Sequence, residues 1–147
     1  MRNSSAAISF AMMAVAAPAA AQVALSNVVH VEDRVTGQRK PATAAMRGDW
    51  LIYVFTYQNI GAERIINYTI NHPLVPTAEF VGEETDSPLM SVDKGITFAP
   101  LAELRVRNPD GSERPALPSD VTHMRWRIPT IIEPGASGEV SYRARLR

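Results

Sequence analysis

Trp50-Leu51-Ile52-Tyr53-Val54-Phe55-Thr56-Tyr57-Gln58-Asn59 decides the fold class. Leu51, Tyr53, Phe55 and Tyr57 fall on one side of a period-two alternation, and Trp50, Ile52, Val54 and Thr56 on the other. Successive side chains of a strand point to opposite faces, and aromatic and β-branched residues fit that pleated surface, so the segment reads as a central β-strand. Its first half is apolar on both faces. Asn59-Ile60-Gly61 then turns the chain into a second β-rich run, Ile65 to Asn71, which Pro73 and Pro76 end.

Towards the C-terminus, Glu79 to Val81, Ile96 to Phe98 and Leu101 to Arg107 are shorter strand candidates, and Asn108-Pro109-Asp110-Gly111 has the residues of a tight hairpin turn. Met124, Trp126 and Ile128 alternate with Arg125 and Arg127; after the turn Glu133-Pro134-Gly135-Ala136, Val140, Tyr142, Ala144 and Leu146 alternate with Ser141, Arg143, Arg145 and Arg147. This pattern predicts a terminal antiparallel hairpin with one apolar and one arginine face. Neither a helical period of useful length nor an internal repeat is present. About seven short strands at spacings near ten residues predict an all-β, two-sheet antiparallel sandwich, anchored by Tyr53, Phe55, Trp126 and Tyr142.

The chain has 147 residues, enough for one domain. Arg2, the apolar run Ala6 to Ala17 and Ala19-Ala20-Ala21 read as a signal peptide over residues 1–21, leaving 22–45 as an N-terminal strand and linker and 46–147 as the domain. Fifteen basic residues balance fifteen acidic ones, and losing Arg2 leaves one more acid than base. The apolar run is shorter than the roughly 20 residues a spanning helix needs, and no hydrophobic tail precedes Arg147. The expected product is exported, periplasmic or secreted to the cell surface, without a transmembrane span or anchor. With no cysteine it forms no disulfide, so its stability rests on the core.

Gly48-Asp49-Trp50 to Asn59-Ile60-Gly61, His72-Pro73-Leu74, and Trp126 followed by Pro134-Gly135-Ala136-Ser137-Gly138 and an alternating strand resemble the conserved-repeat domain of bacterial surface proteins called domain of unknown function eleven. The likeness runs over about Met46 to Arg147. It implies an immunoglobulin-like β-sandwich, here in a single copy where the family has arrays, and it implies no reaction.

Two surfaces are candidate partner sites. Arg125, Arg127, Arg143, Arg145 and Arg147 would share the outer face of the terminal hairpin, where like charges side by side are destabilising unless an acidic envelope protein or anionic envelope polymer neutralises them. The alternative is a set of solvated arginines that keep a sheet edge from pairing with other chains. Trp50, Ile52 and Val54 would make an apolar contact patch unless the N-terminal segment Val28 to Arg34 or the middle of the chain folds over it. Nucleic acid is not an expected partner of an exported chain that is not basic.

The alternative function is a periplasmic metal-binding sandwich. Copper suits the thioethers of Met46, Met90 and Met124 with the imidazoles of His30, His72 and His123, and calcium suits Glu83, Glu84, Asp86, Asp93 and Asp110. No pair has a recurring ligand spacing, so no cofactor is expected, and the histidines read as surface residues. No enzyme is expected either. Nucleophile and zinc-hydrolase motifs are missing, which leaves only a carboxylate pair such as Glu83 or Glu84 with Asp86, as for glycoside hydrolysis. Arg47-Gly48-Asp49 reads as the turn entering Trp50.

Overall fold

The computed structural model describes residues 22–83 and 87–147; residues 1–21, and with them the expected signal peptide, lie outside. The described chain is mostly β, with antiparallel sheets and no closed barrel, an arrangement compatible with a β-sandwich. Its strands are β1 (Val23–Glu32), β2 (Arg39–Pro41), β3 (Trp50–Asn59), β4 (Thr69–Pro73), β5 (Ala78–Glu83), β6 (Leu89–Ser91), β7 (Arg105–Arg107), β8 (Glu113–Pro115), β9 (His123–Arg127) and β10 (Ser137–Leu146). The larger sheet runs β2-β1-β3-β10-β5, a smaller one β4-β9-β6, and β7-β8 form a separate ribbon.

The alternation of Trp50 to Asn59 acts as expected. β3 is central, paired over its whole length with β1 and from Trp50 to Gln58 with β10. Leu51, Tyr53, Phe55 and Tyr57 are buried, and opposite Tyr53 and Phe55 stand Tyr142 and Val140 on the same face. From the smaller sheet, Ile70, Met124 and Trp126 enter the same core. The Phe55 and Trp126 rings lie 5.8 Å apart, and Tyr53 stacks on Tyr142 at 4.8 Å. Each such ring buries on the order of 200 Å² and contributes roughly 5 kcal/mol before entropy is subtracted. That burial holds the two sheets together in a chain without disulfides.

Local chemistry sets the other elements. The β-rich run before Pro73 is split: Ile65 makes an isolated bridge with Ile132, Asn67 adopts a left-handed backbone (φ 55°) that interrupts the run, and the strand begins at Thr69. Ile96 to Phe98 form no strand: the Asp93 carboxylate accepts the Ile96 and Thr97 N–H groups and the Ser91 and Thr97 hydroxyls, winding the segment into a loop. In the ribbon, Asn108 to Gly111 close β7 on β8 as the turn residues require.

Candidate functional site

The terminal hairpin does not form. β9 pairs with β4 and β6 in the smaller sheet, whereas β10 pairs with β3 and β5 in the larger one. Residues 128–136 cross between the sheets, held by buried Ile128 and Ile132 and by the reciprocal backbone bonds of Ile132 with Ile65. Trp126 and Tyr142 therefore meet in the core, their rings 6.0 Å apart, and the arginines that alternate with them belong to two different sheets.

The shared arginine face is thus replaced by separate environments. On the smaller sheet, Arg125 donates through Nε to Asn71 Oδ1 (2.7 Å) and lies 3.7 Å over the Phe98 ring, while Arg127 is exposed. On the larger sheet, Arg143 binds Glu32 through Nε (2.9 Å) and Nη2 (3.3 Å), and Arg145 reaches Glu79 at 2.8 Å. Arg147, beyond β10, donates to the Ser119 carbonyl (3.0 Å). The Arg143 guanidinium holds the Glu32 carboxyl below its ordinary range.

The apolar patch is closed as well. Ile52 is fully buried on the outer face, between His30 and Arg143 in register and beside the Arg143–Glu32 pair. Arg34 covers Trp50 at 4.4 Å, and Val54 is half-buried between Val28 and Ser141. β1 does not fold over this face; it lies beside β3 in the same sheet. A cleft of ≈ 340 Å³ next to Trp50 is lined by Glu32, Asp33, Arg34 and Lys40, among others. Asp33 is turned inward to its own loop, accepting the Val35 and Thr36 N–H groups.

What sequence reasoning did not locate is the open edge of β1. β2 covers β1 only from His30 to Glu32, with Ala42 N–H donating to the Val29 carbonyl just beyond. That bond fixes the parity: the N–H and C=O of Val29 point away from β3, so those of Val23, Leu25 and Asn27 do too. No described strand pairs with them. Residues 24–28 are all exposed, with Leu25 and Val28 about half so. The signal was an uncharged run without proline, Val23 to Val29; which of its edges stays open depends on where β2 stops.

The metal-ligand candidates divide. Met46 is exposed in a loop, His30 lies on the outer face of the larger sheet and His123 on that of the smaller sheet. Met90, Met124 and His72 occupy one inward-facing row of the smaller sheet. His72 is therefore half-buried and within 3.0 Å of Tyr142 Oη, not a surface histidine. Asp93 and Asp110 are engaged by their own loops, hydrogen bonds that hold both carboxyls below the ordinary range; the Glu83, Glu84 and Asp86 side chains lie outside the described residues. Among the described residues no three His, Cys, Asp or Glu side chains are grouped to hold a metal, and no helix is long and apolar enough to cross a membrane.

Comparison of the chain with protein-family models, with curated protein sequences and with solved structures finds no match.

Proposed function

We propose that this chain is an exported, non-catalytic interaction module with an immunoglobulin-like sandwich topology, acting in the bacterial envelope or at the cell surface by taking an extended strand of a protein partner onto the open edge of β1. One observation carries the reading. Among the described residues nothing pairs with the outward backbone donors and acceptors of Val23, Leu25 and Asn27, which lie along a segment without charge, proline or bulge, the geometry of strand addition. The arginines support the role less well. An anionic envelope polymer at Arg143 or Arg145 would have to displace Glu32 or Glu79, whereas the edge needs no such exchange.

Asn27→Pro tests this without disturbing the sheet, since it removes a donor that faces away from β3. In capture from bacterial envelope extract, Asn27→Pro is expected to lose the partner and Arg143→Glu/Arg145→Glu to keep it; the reverse pattern overturns the reading.

The alternative, a periplasmic copper site, draws on the row Met90–Met124–His72, whose thioethers and imidazole suit that metal. Equilibrium dialysis against copper separates the two readings. Stoichiometric uptake that His72→Phe abolishes supports the metal site, and its absence removes it.

A further inference from the structure

Building on the strand-addition reading, we propose that the partner is a second copy of this chain, pairing β1 with β1 antiparallel about a two-fold axis through Leu25. The register follows from what limits the free edge. Ala42 and β2 occupy it from Val29 onward, and with signal cleavage after Ala21 the mature chain begins at Gln22, so the overlap is confined to residues 22–28, whose centre is Leu25. Leu25 is one of the residues whose N–H and C=O face outward, so a centre there aligns donors with acceptors. Val23 meets Asn27 of the second copy, Leu25 meets Leu25, and Asn27 meets Val23, for about six ladder hydrogen bonds. An axis through Ser26 would set Val23 beside Val29, where Ala42 already sits.

The side chains suit that register. On the core side of the sheet the two Leu25 side chains, each 48% exposed alone, cover one another. On the outer side Ala24 lies opposite Ser26, both small. Nothing along Val23 to Val28 repels its own copy, because the run has no charge. The other edges among the described residues are guarded or too short. β5 carries Glu79 and Glu83 and a register shift against β10, β4 ends in Pro73, and β2 and β6 have three residues each. Six ladder bonds and one leucine pair fall below the roughly 1,000 Å² of a firm interface, so a weak, concentration-dependent dimer is expected.

The chain has no cysteine, so one introduced thiol reports the register directly. Leu25→Cys sets two thiols on facing Cα atoms about 5.5 Å apart, within disulfide reach, and Ser26→Cys sets them beyond it. Under mild oxidation, Leu25→Cys is expected to form a covalent dimer at least about tenfold faster than Ser26→Cys. Sedimentation velocity of the cysteine-free protein is expected to show a dimer that grows with concentration and that Asn27→Pro abolishes. Equal cross-linking at both positions, or a dimer that Asn27→Pro leaves intact, overturns the proposal. A protein that stays monomeric while Asn27→Pro still blocks envelope capture overturns the self-pairing alone and retains strand addition to another partner. Monomeric protein with capture unaffected by Asn27→Pro removes both.

Discussion

His72 Nε2 and Tyr142 Oη stand 3.0 Å apart and tie the two sheets together: His72 comes from β4 of the smaller sheet and Tyr142 from β10 of the larger. The Phe55 ring lies 4.7 Å from the imidazole, and Tyr53 stacks on Tyr142. Burial, helped by the nearby His123, lowers the His72 pKa to about 4, and burial raises that of the Tyr142 phenol. Both groups are neutral at pH 7, and their polar link runs among the aromatic rings of the core.

The burial of His72 makes stability fall with acid. His72 ionises near 6.5 in the unfolded chain and near 4 in the folded one, so between those values only the unfolded state takes up the proton. The contribution is complete above about pH 6.5 and lost as pH drops towards 4, on the order of 3 kcal/mol at most. Urea unfolding at pH 7.5 and 4.5 checks this. The wild-type midpoint is expected to drop more than that of His72→Phe, and parallel drops would refute the assignment. Taking the difference cancels carboxylates such as Glu32 and Asp120, which titrate in both proteins.

How far the fold was legible depended on whether a signal was local. The period-two aromatic run of β3 needed no partner to be read, and the core rings Tyr53, Phe55, Trp126 and Tyr142 lie where it placed them. Alternation assigns a residue to a face and is silent about the neighbouring strand, so β9 and β10 carried the same pattern whether they formed a hairpin or faced each other across the core. The arginine surface inherited that ambiguity. Its neutralisation by Glu32 and Glu79 depends on strands more than 60 residues away in sequence, as does the burial of His72. The Asp93 loop was hidden for a different reason: a β-rich run, Ile96 to Phe98, lost its backbone donors to one carboxylate.

Asn59 shows what the Asn-x-Gly turn requires. It is fully buried, donates through Nδ2 to the carbonyls of Glu63 (2.7 Å) and Ile132 (2.9 Å), and accepts the Gly61 N–H at Oδ1 (3.0 Å). It thereby joins the end of β3 to the crossing segment before β10. Asn59→Ala strands these groups in the interior and is expected to cost about 2–3 kcal/mol. Asn59→Asp should be worse at pH 7, because a carboxylate would face two carbonyl oxygens. Equilibrium denaturation of both variants measures the order, and an unchanged Asn59→Asp would mean that the side-chain bonds contribute nothing.

Gly138 is needed for space. It pairs with Tyr57 across β10 and β3, and a Cβ there would run into the Tyr57 ring and hydroxyl. Gly138→Ala is expected to destabilise by about 1–3 kcal/mol through overpacking. Tyr57→Leu empties the contested space, so in a double-mutant cycle Gly138→Ala should cost less in the Tyr57→Leu background. Additive costs would place the effect in the backbone instead.

Glu32 is the acid on which two cations converge. Arg143 binds it through two nitrogens, Arg39 approaches to 3.8 Å, and its side chain is only 11% exposed. Beside it, Ile52 keeps its place on the outer face of the larger sheet. Glu32→Gln removes the attraction while preserving shape, at an expected cost of about 1 kcal/mol. Arg143→Glu instead sets two carboxylates together at the same point and should cost more, an excess that shrinks as added salt screens the repulsion. Thermal unfolding at low and high ionic strength distinguishes the cases. The double variant Glu32→Arg/Arg143→Glu restores opposite charges and is expected to recover part of the loss; failure to recover any would assign the pair's role to packing around Ile52 instead of charge.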